Sequence, residues 1–207
     1  EWVKSWQTEF GAESIFEIGV APNEGDLGNS SLGAYFRRAK HGSSAILGNF
    51  LASDPFLSSM AEDSTDVRYG IMANDEINAN RLGAIYKYSG GTALQGDKNS
   101  SNSTAVNIKV FRLSEIYMIA AEAALLQSAA NKDLAATYLN EIRQRSPQLD
   151  PATAATVSLD LIAQERRKEL VGEGQRFFDM IRWNKSISFN DEIGNIITIH
   201  RQKTIDR

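Results

Sequence analysis

Residues 165–183 read ERRKELVGEGQRFFDMIRW, and nine of these nineteen residues are charged. Two of the acids, Glu173 and Asp179, are of the type that performs acid–base work in glycoside hydrolysis. That chemistry needs one carboxyl group with a raised pKa, set in a cleft. Here every carboxylate has an arginine close by in sequence, which favours the charged form. Arginine forks also pair bidentately with carboxylates and tie helices together. The stretch therefore reads as a structural ion network, in which Asp179 meets Arg176 or Arg182 on one helix face.

Other chemistries find little footing. The 207 residues include no cysteine, which removes disulfides, thiol catalysis, cysteine metal sites and a lipid-bearing cysteine within this sequence. His41 and His200 are isolated, without a second ligand at metal spacing, so no metal site is expected. Asp97, Asn99 and Ser101 begin like a calcium loop, but the glycine at its sixth position is missing and Ile108 stands where the glutamate belongs. That segment reads as a polar surface loop. No phosphate-cradling glycine motif is present and no cofactor is expected. A net charge of −4 offers no basic surface for nucleic acid. No apolar run approaches a membrane span, and EWVKSWQTEF has no signal-peptide core.

The elements that must position the charged stretch change character near residue 110. Twelve of the fifteen glycines fall at or before Gly96. Residues 1–110 are thus expected to be a loop-rich, ligand-binding region, with a strand or short buried segment at 14–20, a short strand at 83–90, and a helix capped by Ser53 or Asp54 with Pro55 in its first turn. Residues 111–207 are expected to be helical. Leu113, Ile116, Tyr117, Ala120, Ala123 and Ala124 form one apolar stripe; Ala135, Tyr138, Leu139 and Ile142 form another. A short connection makes 112–146 a helical hairpin about as long as a tetratricopeptide repeat. Further helices are expected at 157–171 and 175–184, with Arg166 on an otherwise apolar face. One repeat cannot bury its own faces, so either these helices supply the rest or the sequence is cut from a longer one. The fold class is mainly α: a tetratricopeptide-like hairpin plus C-terminal helices, with a loop-rich region containing short strands.

FRLSEIYMIAAEAAL, then AATYLNEIRQR, then LIAQERRKELVGEGQRFFDMIRW resemble, in that order, the C-terminal signature of the SusD/RagB family. ESIFEIGV and DVRYG fit it more loosely, and the end NIITIHRQKTIDR departs from the proline-containing close of the family. The resemblance implies a surface-exposed, lipid-anchored glycan binder of the Bacteroidetes outer membrane. It implies no catalysis. The implied partners are an oligosaccharide or polysaccharide and a SusC-like TonB-dependent transporter. It further implies a helical fold with four tetratricopeptide-like pairs, a sugar site in the loops, and complete members much longer than this sequence.

The shared motif carries no sugar-contacting residue, so candidates come from composition alone. Sugars are held by aromatic faces and by polar groups that bond hydroxyls. Tyr35 and Phe36 lie in a Gly/Asn/Ser-rich stretch, Tyr69 follows Arg68, and Tyr86 and Tyr88 alternate along a segment expected to be a strand. Two rival readings stand beside glycan capture: a glycoside hydrolase using loop carboxylates, and a helical-repeat scaffold for a protein partner.

Overall fold

The computed structural model describes residues 1–20, 32–36, 50–74, 81–88, 107–190 and 195–199. The calcium-like segment 97–104 lies outside them. The described elements run α1 (Trp2–Ser5), β1 (Ser14–Ile18), α2 (Leu32–Phe36), α3 (Asp54–Met60), a 3₁₀ turn (Val67–Ile71), β2 (Met72–Ala73) and β3 (Ala84–Ile85). They continue with β4 (Ile108–Arg112), α4 (Leu113–Leu125), α5 (Lys132–Arg143), α6 (Leu159–Glu169), α7 (Gln175–Arg182), β5 (Ile187–Asn190) and β6 (Ile196–Ile199). Helices dominate and every strand is short, the mainly α architecture that the sequence implies.

Local chemistry sets the helix ends. The Asn131 side chain accepts from the Leu134 amide at 3.1 Å to start α5, and Ser158 accepts from the Leu161 amide at 3.2 Å to start α6. Pro55 sits in the first turn of α3. Gly172 and Gly174 take φ of +77° and +80°, the left-handed region that glycine enters without strain, and so break α6 from α7. Each strand pairs antiparallel with one other: β1 with β4, β2 with β3, β5 with β6. Of the strand expected at 83–90, Ala84–Ile85 forms a ladder among the described residues, and Tyr86, Lys87 and Tyr88 continue it into the core as buried side chains outside the ladder. The β4 strand and the β5–β6 ribbon were not anticipated.

Two cores form. Ala121, Ala124, Ala135, Leu139 and Ile162 pack α4, α5 and α6 together, so α6 supplies a face that the lone hairpin lacks. Trp2, Trp6, Phe56, Ile71, Ile85, Tyr86 and Tyr88 make the second core, within the loop-rich half. The α5 face matches its expected stripe, with Ala135, Leu139 and Ile142 buried. The α4 face does not. Its buried residues are Ser114, Glu115, Met118, Ala121, Glu122 and Ala124, while Leu113, Ile116 and Ala123 are exposed. The helix is turned by its acids: Glu115 and Glu122 face Arg166 and Arg182, and burying them without these cations would be far costlier than exposing three apolar side chains.

Candidate functional site

An aromatic ladder crosses the loop-rich half. Trp2 and Trp6 meet edge to face at 6.2 Å between centroids, and Trp6 meets Tyr88 the same way at 6.1 Å. Tyr88 lies 6.3 Å from Phe36, Phe36 lies 5.6 Å from Phe50, and Phe50 lies 5.5 Å from Tyr35. The inner rings are buried; Tyr35 and Phe36 are half-buried, and Phe50 is 54% exposed. The Phe50 amide donates to the Tyr35 carbonyl at 3.0 Å, which ties the two ends of the intervening segment together. Below Phe36 lies Gly172, where an added Cβ would stand 3.7 Å from the ring. The glycine break of the charged stretch thus forms part of the seat for the ladder.

The inner end of the ladder rests on charge. Lys87 is fully buried, donates to Glu173 at 2.5 Å and to the Glu169 carbonyl at 2.7 Å, and lies 4.6 Å from the Trp6 centroid. Burial pulls the Lys87 ammonium down to about 8 against the attraction of Glu173 and Glu169, with Arg112 adding to the fall. Arg112 clamps Glu173 through two hydrogen bonds and reaches Glu169 at 3.2 Å. Burial pushes the Glu169 carboxyl up, but Arg145, Arg112, Arg68 and Lys87 outweigh it and hold the group at about 2. The Trp2 indole donates to the same carboxylate at 3.0 Å.

The six sequence candidates separate in this structure. Tyr35, Phe36 and Tyr88 join one ladder, but only the first two approach its open end. Tyr86 is buried in the core. Arg68 is 1% exposed, and its guanidinium is shared among Asp66, Glu165 and Ser146. Tyr69 is half-buried, with its hydroxyl pKa raised by burial and by Asp66 and Asp63. Phe50 was missed, although GNF offers the same glycine- and asparagine-flanked aromatic that drew attention to GAYF.

The charged stretch behaves as a structural network. Glu173 is held by Lys87 and Arg112; Asp179 is held by Arg166 and Arg182. Asp179 takes Arg182 and not Arg176 on its own helix, and its strongest partner comes from α6: Arg166 spans both its oxygens at 2.9 and 3.0 Å. No cluster of metal-ligating side chains occurs among the described residues. No described helix is long and apolar enough to cross a membrane.

The sequence and fold have known counterparts. A SusD superfamily protein from Bacteroides thetaiotaomicron is 30% identical, with a TM-score of 0.73 over 90% of this chain and 41% of its own. One from Bacteroides vulgatus is 31% identical, with a TM-score of 0.73 over 97% of this chain and 41% of its own. Surface glycan-binding protein A from Bacteroides thetaiotaomicron, in complex with laminarihexaose, shares the fold at 19% identity, with a TM-score of 0.60 over 89% of this chain and 46% of its own. The chain therefore spans less than half the length of these structures. No curated protein matches it. The model of the SusD family matches residues 31–205, which takes in the open end of the ladder, its glycine seat and the buried ion network, and the chain belongs to that family.

Proposed function

We propose that this chain is part of a surface glycan binder, in which residues 1–110 carry the sugar platform and residues 111–207 hold it in place. The observation that carries this reading is the open end of the ladder, where Phe50, Tyr35 and Phe36 present aromatic surface. Sugar rings stack their C–H faces on such rings. Membership of the SusD family supports the reading, as does the laminarihexaose held by a protein of the same fold. Capture proceeds without turnover, because Glu173 and Asp179 are each held by two cations and do not form a free acid–base pair.

In the cell the complete protein would sit on the outer-membrane surface through a lipid anchor and hand oligosaccharides to a SusC-like TonB-dependent transporter. Calorimetry with a panel of neutral oligosaccharides, run beside a reducing-sugar assay, tests the binding. Saturable binding without release of reducing ends is expected. Turnover that disappears on replacing a carboxylate would establish a hydrolase instead. Co-purification with the transporter alone, and no sugar binding, would favour the protein scaffold.

A further inference from the structure

Phe36 stands in a slot whose two walls come from distant parts of the chain. One wall is Tyr88, whose ring lies 6.3 Å from that of Phe36 at an interplanar angle of 35°. The other is Gly172, where a Cβ would stand 3.7 Å from Cε1 of the ring and 3.8 Å from Cζ. Each wall has a charged neighbour in sequence: Lys87 beside Tyr88, and Glu173 beside Gly172. These two neighbours are bonded to each other across eighty-six residues, with Lys87 Nζ donating to Glu173 Oε1 at 2.5 Å. The same ammonium donates to the Glu169 carbonyl at 2.7 Å, at the C-terminal end of α6. Lys87 thus closes the slot like a clasp, and it does so with no exposure to solvent.

Both walls rest on backbone that needs such a clasp. β3 ends at Ile85, three residues short of Tyr88. Gly172 and Gly174 give the other wall a permissive backbone. Arg112 fixes Glu173 to β4 through Nε and Nη2, and Lys87 then fixes the Tyr88 segment to Glu173. Phe36 carries the effect outward, because it lies 5.6 Å from Phe50, which lies 5.5 Å from Tyr35. The width of the slot therefore sets where the outer rings stand. A platform whose rings are already placed binds more tightly than one that must first be ordered.

We propose that Lys87 is a positioning residue for the sugar platform: by clasping Glu173 it fixes the slot that holds Phe36 and, through Phe36, the outer rings Phe50 and Tyr35. This rests on the glycan-binding reading of the ladder. Lys87 touches no sugar; it acts through the rings.

The test measures sugar affinity and stability on the same variants of the 207-residue chain. Lys87→Met keeps the apolar stem and removes the donor. Glu173→Gln keeps the shape but leaves one acceptor oxygen for Lys87 and Arg112 to share. Calorimetry with laminarihexaose, maltohexaose, xylohexaose and mannohexaose is expected to show a roughly three- to tenfold loss of affinity in either variant for any sugar that binds, the scale of one aromatic contact. Asp179→Ala is the control for lost stability alone, since its partners Arg166 and Arg182 take no part in the aromatic ladder. Its affinity is expected to stay within about twofold. Aromatic ¹H–¹³C spectra of the sugar-free protein give a second readout: the Phe36 ring signals should move in both clasp variants and stay in place in Asp179→Ala. Should Lys87→Met fail to fold, Glu173→Gln carries both readouts. Binding that Phe50→Ala weakens and the clasp variants leave unchanged would overturn the positioning role while sparing the platform. Affinity lost equally in Asp179→Ala would reduce the effect to stability and overturn it too, as would Phe36 signals that do not move in Glu173→Gln. No binding of any of the four sugars by the unaltered chain would take down platform and clasp together.

Discussion

Arg112, the last residue of β4, grips both carboxylate oxygens of Glu173, at 2.9 and 2.8 Å, across sixty-one residues of sequence. Glu173 lies between the two left-handed glycines that separate α6 from α7, so this fork fixes the break between the helices. The pair is buried together with Lys87. Glu173→Ala leaves Arg112 and Lys87 buried beside a cavity with one fewer counter-ion. A loss of about 3–5 kcal/mol is expected, the scale of breaking a buried pair. Urea unfolding followed by circular dichroism measures it.

Asp179 and Arg176, three residues apart, should respond very differently. Asp179→Ala strips Arg166 of two charge-assisted hydrogen bonds and Arg182 of a third, and a loss of about 3 kcal/mol or more follows. Arg176 is exposed, and Arg176→Ala is expected to stay within about 0.5 kcal/mol. Equal losses in the same denaturation experiment would contradict this division.

Phe50→Ala should weaken oligosaccharide affinity by roughly three- to tenfold, the scale of about 0.5–1.5 kcal/mol for one aromatic contact. The exposed ring carries little of the core, so the melting temperature should barely move. Calorimetry and a thermal melt on the same sample separate the two effects; a large fall in melting temperature would mark Phe50 as packing only.

Acid should unfold the protein through its buried acids. The carboxyls of Glu169 and Glu17 are each held at about 2, below the ordinary 4.5. For Glu17, burial works against Lys109, the Phe10 amide, Ser14 and Asn107, which together win. With folded values below unfolded ones, both groups stabilise the fold above pH 4.5, and that stability drains away as pH falls from 4.5 towards 2. Stability against urea, measured from pH 7 to 2.5, should be flat at first and fall below about 4.5. A curve that begins to fall at pH 6 would implicate other groups.

Much of the helical half is legible in the sequence, because caps, proline and apolar periodicity are local signals. Ser53, Pro55 and the glycine pair at 172 and 174 stand at the helix ends they announce. The orientation of α4 is not legible in this way. Its apolar stripe lies at Leu113 and Ile116, yet Glu115 and Glu122 turn inward, because their partners Arg166 and Arg182 arrive from some fifty to sixty residues further along. Arg68 shows the same limit. It looked like a surface ligand beside Tyr69, but Glu165, ninety-seven residues away, draws it inside. The ladder was half visible: Tyr35 and Phe36 stand out by composition, while their contact with Phe50 depends on the chain folding back to the Tyr35 carbonyl. Periodicity reports which face is greasy; it does not report which charges will meet.

The ladder has one dry end and one wet end, and these answer to different rules. At the dry end Trp6 is enclosed by Lys87 and Arg112, so any change there is felt by the whole fold. At the wet end Phe50 lies against Tyr35 and Phe36. A protein engineer could therefore swap the outer two rings to retarget the molecule, keeping the inner rungs as a fixed handle.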